Sequence, residues 1–139
     1  MNEERGANMR SRPTITLADA HKMMAACKAE AQKNEWLVAI AIVDDAGALL
    51  LLERDDTIHR ITAEAALGKA QIAVALRRSS KLAMELVREQ PGFLKVTGLP
   101  VWGGVPVMYQ DECVGGVGVS GVEGLRDEQI AMAGANVLS

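Results

Sequence analysis

At 139 residues and 14.8 kDa the chain has the length of one domain, and with 49% hydrophobic residues it can fill a core. Aromatic residues make up only 3%, so that core must be built from Ala, Val, Leu, Ile and Met. A net charge of -3 and a pI near 5.4 lack the basic footprint of a nucleic-acid binder, and Trp36, Phe93, Trp102 and Tyr109 are too few to stack single strands.

Cys27 and Cys113 match no metal or redox spacing and suit a reducing compartment, where cysteine behaves as a small apolar residue. No apolar run approaches the roughly 18 residues that span a bilayer. The opening MNEERGANMRSRP has no hydrophobic segment behind its charges, unlike a secretory leader. The expectation is a soluble cytoplasmic domain that touches neither membrane nor nucleic acid.

Residues 1–13 are polar and charged and read as a mobile tail ahead of a domain over 14–139. Thr16 with Asp19 three residues on forms a capping box with the shorter acid. Leu17, Ala20, Met24, Cys27 and Ala31 then make one apolar stripe, for a helix ending near Asn34. Leu37–Val43 and Leu49–Leu52 are apolar runs around Asp44-Asp45-Ala46-Gly47, a strong hairpin signal, with the two aspartates shaping the turn. Neither run alternates cleanly, which predicts strands covered on both faces.

From about Ile58 to Leu76 the pattern is helical and alanine-rich. One stripe runs through Ile58, Ile61, Ala65, Gly68, Ile72 and Ala75, and a second through Ala63, Ala66, Ala70 and Ala73. The small second stripe predicts close approach of another helix, from this chain or a second subunit. Arg77-Arg78 suit the helix carboxyl end, and Ser79 or Ser80 can cap a short helix through Glu89, ended by Pro91-Gly92. Residues 93–101 predict a strand around Leu94-Lys95-Val96.

The stretch GGVPVMYQDECVGGVGVSG, from Gly103 to Gly121, reads as a second hairpin about Asp111-Glu112. Val117 and Val119 share one face of its second strand, while Gly116 and Gly118 leave the other bare to a backbone, a helix or a flat ligand. A final helix over 125–138 carries Asp127-Glu128 as first-turn acids, with Ile130, Ala133, Gly134, Val137 and Leu138 as its buried stripe. The order αββααβββα predicts an α+β domain with a five-stranded antiparallel sheet and helices on both faces.

Nucleophile and phosphate motifs are absent. Val119-Ser120-Gly121 is one place out of register for a nucleophile elbow, and no Gly-Lys-Ser/Thr follows the glycines. Lys69 interrupts a helix apolar on two sides, so its ammonium must find a carboxylate, snorkel or reach a ligand. Arg54 and Asp55 sit where a strand runs toward the central helix, a common place for a site, although a solvated charge run is the blander reading. His21 and His59 are the histidines, and His21 lies on the margin of the first helix's stripe, where surface imidazoles are common.

The glycine hairpin followed by DEQIAMAGAN resembles the GlcG/HbpS family, the haem-binding-protein-S-like domains, which also form the carboxyl-terminal part of PduO-type corrinoid adenosyltransferases. IVDDAGALLLLERDD and the alanine-rich GKAQIAVAL, with Lys69-Ala70, stand where that family places them, and the likeness spans 14–139. It implies a profilin-like three-layer αβα sandwich, homo-oligomers that are often octamers, and haem binding in several members. Other members sit beside glycolate or diol metabolism. Where many relatives carry Pro-Thr-Ser after the central helix, this chain has Arg77-Arg78-Ser79-Ser80.

Two functional expectations follow. The first is a haem- or tetrapyrrole-binding oligomer in which His21 ligates the iron, as the resemblance implies for a first-helix histidine. In it Gly116 and Gly118 offer a flat surface, and Lys69 and Arg77 meet anionic groups such as the propionates. No C-x-x-C-H occurs, so covalent c-type haem is excluded. The alternative is a small enzyme, or an accessory to one, acting on a carboxylated or diol-derived metabolite at a subunit interface. There Lys69 and Arg54 would hold or activate the substrate, with Glu64 or Asp55 as acid–base partner.

Overall fold

The structure, a computed structural model, describes residues 6–95 and 98–138. Residues 1–5 of the expected tail and Val96 of the expected strand lie outside the described residues. Helix α1 spans Leu17–Lys33 and opens on the expected capping box: Asp19 donates its backbone N–H to the Thr16 hydroxyl at 3.2 Å, and its carboxylate accepts the Thr16 N–H at 3.0 Å. Asn34 caps the other end. The buried side holds Ala20, Met23, Met24, Cys27 and Ala31, while Leu17 is half in solvent.

Strands β1 (Ala39–Asp44) and β2 (Leu49–Arg54) form the first hairpin. Asp44 makes its turn, its Oδ1 accepting the backbone N–H groups of Ala46 and Ala48, each at 2.9 Å. Strands β3 (Gly104–Tyr109) and β4 (Glu112–Ser120) form the second, joined through Gln110 and Asp111. Both of those residues have positive φ, the mark of a two-residue primed turn. Among the described residues the sheet is antiparallel in the order β2-β1-β4-β3 and has 4 strands rather than five.

The missing strand has a local cause. Pro91 fixes a helical φ after Gln90, and Phe93 donates to the Gln90 carbonyl at 2.9 Å, so Pro91–Lys95 closes into a 3-10 turn with Leu94 exposed. Leu99 in turn donates its backbone N–H to Gly68 of the central helix, so the chain there is bonded to that helix and not to a strand.

Helices α2 (Ile61–Leu76) and α3 (Ser80–Glu89) follow the first hairpin, and α4 (Gly124–Ala135) follows the second. Helices α1 and α4 cover one sheet face. There Met23, Met24, Cys27, Ile130 and Ala131 close over Ile40, Ile42, Val105, Val107, Val117 and Val119. A fully buried valine or isoleucine in such a layer contributes about 1.5–3 kcal/mol. Helix α2 covers the opposite face, where Ala66 meets Ala39 and Ala41, and Ala70 and Val74 meet Val43.

Ala66 and Ala70 of the predicted alanine stripe therefore pack on the sheet. Of the other predicted stripe, Ile72 is buried but Ile61 remains 63% exposed. Coverage on both faces holds for β1, which is buried along nearly its whole length, but not for β2, an edge strand with Leu49 and Leu52 reaching solvent. Among the described residues, no helix is long and apolar enough to cross a membrane.

Candidate functional site

Helix α2 lies so low on the sheet because β4 has no side chains beneath it. A Cβ on Gly118 would stand 1.9 Å from the Ala66 carbonyl oxygen, and one on Gly116 would stand 2.6 Å from a Val74 methyl. The bare face is thus taken by α2. That corrects the expectation of a flat ligand against Gly116 and Gly118, since no macrocycle fits between them and the helix.

The low seat carries Lys69 to the end of the sheet. The residue is 4% exposed, and its Nζ donates to the Val119 carbonyl at 3.0 Å and to Asp127 Oδ2 at 3.1 Å. Asp127, 1% exposed, uses Oδ1 to accept the Val122 backbone N–H at 3.1 Å. Gly103 completes the enclosure at a φ of 133°, where a Cβ would meet Val119 O at 2.6 Å and Lys69 Nζ at 2.9 Å. Burial raises the Asp127 pKa above its ordinary value, and the Lys69 charge pulls against that rise without cancelling it. The pair ties α2, the end of β4 and the start of α4 together, and leaves Lys69 no route to a substrate.

A neighbouring set of serine bonds serves the same corner. Ser79 caps α3 and also donates to the Glu128 carboxylate, while buried Ser80 donates to Val101 O at 2.5 Å and accepts the Gly104 N–H at 2.8 Å. The Arg-Arg-Ser-Ser segment is here a structural clasp between α2, α4 and the entrance to β3.

The remaining candidates are spread out. Arg54 donates to the carbonyls of Ile58, at 2.9 Å, and Asp55, at 3.3 Å, and so braces the loop into α2. The Asp55 carboxylate accepts from the backbone N–H and hydroxyl of Thr57, which holds its pKa below the usual carboxylate value. Arg54 and Asp55 line a cleft of about 170 Å³ with Lys28 and Trp36, whereas Glu64 lines another with Gly98 and Leu99. Lys69, Arg54, Asp55 and Glu64 are therefore not gathered into one catalytic site within the protomer.

His21 is exposed on the outer side of α1, and its imidazole makes no hydrogen bond or ion pair among the described residues. Leu17, one turn before it, and Ala25, one turn after, are also exposed. His59 is exposed in the loop before α2, where its carbonyl accepts from Thr62. His21 belongs to the α1 layer and Lys69, Gly116, Gly118 and Arg77 to the α2 side, so one protomer does not present them to a single ligand. Among the described residues, no group of three or more His, Cys, Asp or Glu could hold a metal ion. The partner of Lys69 went unnoticed in the sequence, although a lysine on the glycine-facing side of α2 demands a carboxylate and Asp127 stands just beyond the end of β4.

Comparison with known proteins places this arrangement. The sequence model of a family described as "Haem degrading protein HbpS-like" matches residues 15–136, from the start of α1 to the end of α4. The chain belongs to the HbpS-like family. This HbpS-like chain is 39% identical to Protein GlcG of Escherichia coli strain K12 over 114 residues, 81% of the chain and 85% of the relative. A double mutant of Streptomyces reticuli HbpS superposes with a TM-score of 0.88 at 31% identity, covering 94% of this chain and 91% of that one. A crystal structure described as a PduOC:Heme complex superposes with a TM-score of 0.78 at 25% identity, covering 88% of this chain and 94% of that one.

Proposed function

We propose that this HbpS-like protein is a haem-binding homo-oligomer in which the His21 imidazole ligates the iron. The observation that carries the reading is the exposed line Leu17, His21 and Ala25 along α1: an imidazole with no side-chain partner among the described residues, set on a rigid helix between two apolar neighbours. An axial ligand needs one such nitrogen and no cluster. The likeness to a relative solved as a haem complex supports it. His59 offers a second imidazole, but in a loop and beside Arg60.

Among the described residues of one protomer His21 stands exposed on the outside of α1, so in this reading a second copy supplies the wall opposite it. The assembly is part of the proposal, as is a cytoplasmic home for the protein. The enzyme reading draws no support from the geometry, since Lys69 is sealed against Asp127 and its proposed partners face other clefts. Titration of the purified protein with haemin tests the haem reading. A saturable Soret shift that His21→Ala abolishes and His59→Ala leaves intact is the expected result. No shift, or one indifferent to His21→Ala, overturns it.

A further inference from the structure

We propose that the cleft between the β1–β2 turn and the carboxyl end of α2 is a second ligand site, which takes a small carboxylate on the Arg77 guanidinium. The cleft has a volume of about 550 Å³ and is walled by Arg12, Asp45, Gln71, Val74, Arg77 and Cys113. It lies on the α2 side of the sheet, away from His21, and the proposal stands independently of haem binding.

The charge of the cleft favours an anion. Arg12 is engaged with Asp45 at 3.5 Å. Arg77 makes no ion pair and no side-chain hydrogen bond among the described residues. Two guanidinium groups against one carboxylate leave the cleft an excess of positive charge, carried on a planar fork that matches a carboxylate with two parallel hydrogen bonds.

The backbone at Arg77 favours the same role. Arg77 closes α2 in the left-handed conformation, with φ 56 and ψ 34, and its N–H bonds back to Ala73 and Val74. Glycine does that task without the Cβ penalty and is the usual residue there. What an arginine adds at this position is its side chain, placed at the mouth of the cleft. Strain of this kind gathers at ligand clamps.

The lining sets the ligand's size and character. Gln71 donates to the Gly47 carbonyl at 3.2 Å, which fixes its amide at the wall. Val74, Ala75 and Ala46 supply short apolar surface, and the half-buried Cys113 thiol donates to Gly115 O at 3.4 Å. A short aliphatic body with one carboxylate satisfies both the apolar lining and the free guanidinium. The carbonyl end of α2 disfavours an anion on its axis, so the ligand sits toward the 45–47 turn. Arg12 precedes residues 15–136 matched by the family model, so part of this wall lies outside the matched region.

Propionate is the probe, with propionamide as its neutral isostere and inorganic phosphate as the rival anion, followed by amide chemical shifts in the haem-free full-length protein. Saturable shifts at Gly47, Gln71 and Cys113 with propionate are expected, at least about tenfold weaker in Arg77→Gly and partly retained in Arg77→Lys. Arg77→Gly relieves the left-handed strain, so it keeps or gains thermal stability and its loss of binding is not a loss of fold. Absent or unsaturable shifts, equal binding by Arg77→Gly, equal shifts with propionamide, or preference for phosphate overturns the proposal. His21→Ala, run alongside, keeps its propionate shifts whatever its response to haemin.

Discussion

The two faces of one sheet are held by opposite means. Toward α1 and α4 the strands offer Ile40, Ile42, Val117 and Val119, and the layer is filled by side chains. Toward α2 they offer Ala39, Ala41, Gly116 and Gly118, and the layer is filled by the helix backbone itself. The first face is sensitive to what is removed and the second to what is added. The glycine face also brings a buried ion pair within reach of the sheet's end, where a face built of valines would hold α2 too far away.

Breaking the ion pair has the largest expected effect. Lys69→Met leaves Asp127 buried without its cation and costs about 3–5 kcal/mol near neutral pH. The sign with pH follows from Asp127, whose folded pKa burial already raises and the variant raises further. A raised folded pKa gives stability that is present below the unfolded value and lost as pH rises through the folded one. The Lys69→Met defect therefore shrinks toward acid pH, and urea unfolding across the pH range reads it.

Gly118→Ala tests the other property of the α2 face. Its methyl overlaps the backbone of Ala66 and Ala70, which no rotamer change relieves, so a loss of about 3 kcal/mol is expected from overpacking. On the opposite face Val117→Ala only deletes atoms, and a loss of about 2 kcal/mol is expected from transfer and residual cavity. The comparison fails if the valine substitution proves the more damaging in parallel denaturation curves.

Much of this frame was legible in the residues, because local chemistry sets it. Thr16 and Asp19 begin α1 as their spacing requires, Asp44 turns the first hairpin, and the alternation of valine and glycine assigns the two sides of β4. Asn34 ends its helix where expected. Where the reading failed, tertiary context decided. Leu94 and Lys95 have neighbours fit for a strand, but Pro91 closes a 3-10 turn and the chain beyond it packs on α2. The apolar run of β2 gave no sign that the strand lies at a sheet edge.

The site was less legible than the fold for a related reason. Lys69 was visible as an anomaly, yet its use depends on Asp127, 58 positions away, and spacing along the chain says nothing about such a meeting. Arg77 looked fully explained as a helix-end cation. Its left-handed backbone and the absence of an ion pair or side-chain hydrogen bond among the described residues set it apart.

The methionines of α1 carry a consequence of their own. Met23 and Met24 are sealed under α4, at 0% and 2% exposure, while Met108 and Met132 stand about two-fifths open, at 40% and 41%. Peroxide converts an accessible thioether to a sulfoxide and passes over a sealed one. The outer pair therefore takes up oxygen in the native state, and the inner pair only when the α1–α4 layer opens. The protein carries an internal clock of that opening, readable as added oxygen on one peptide of α1.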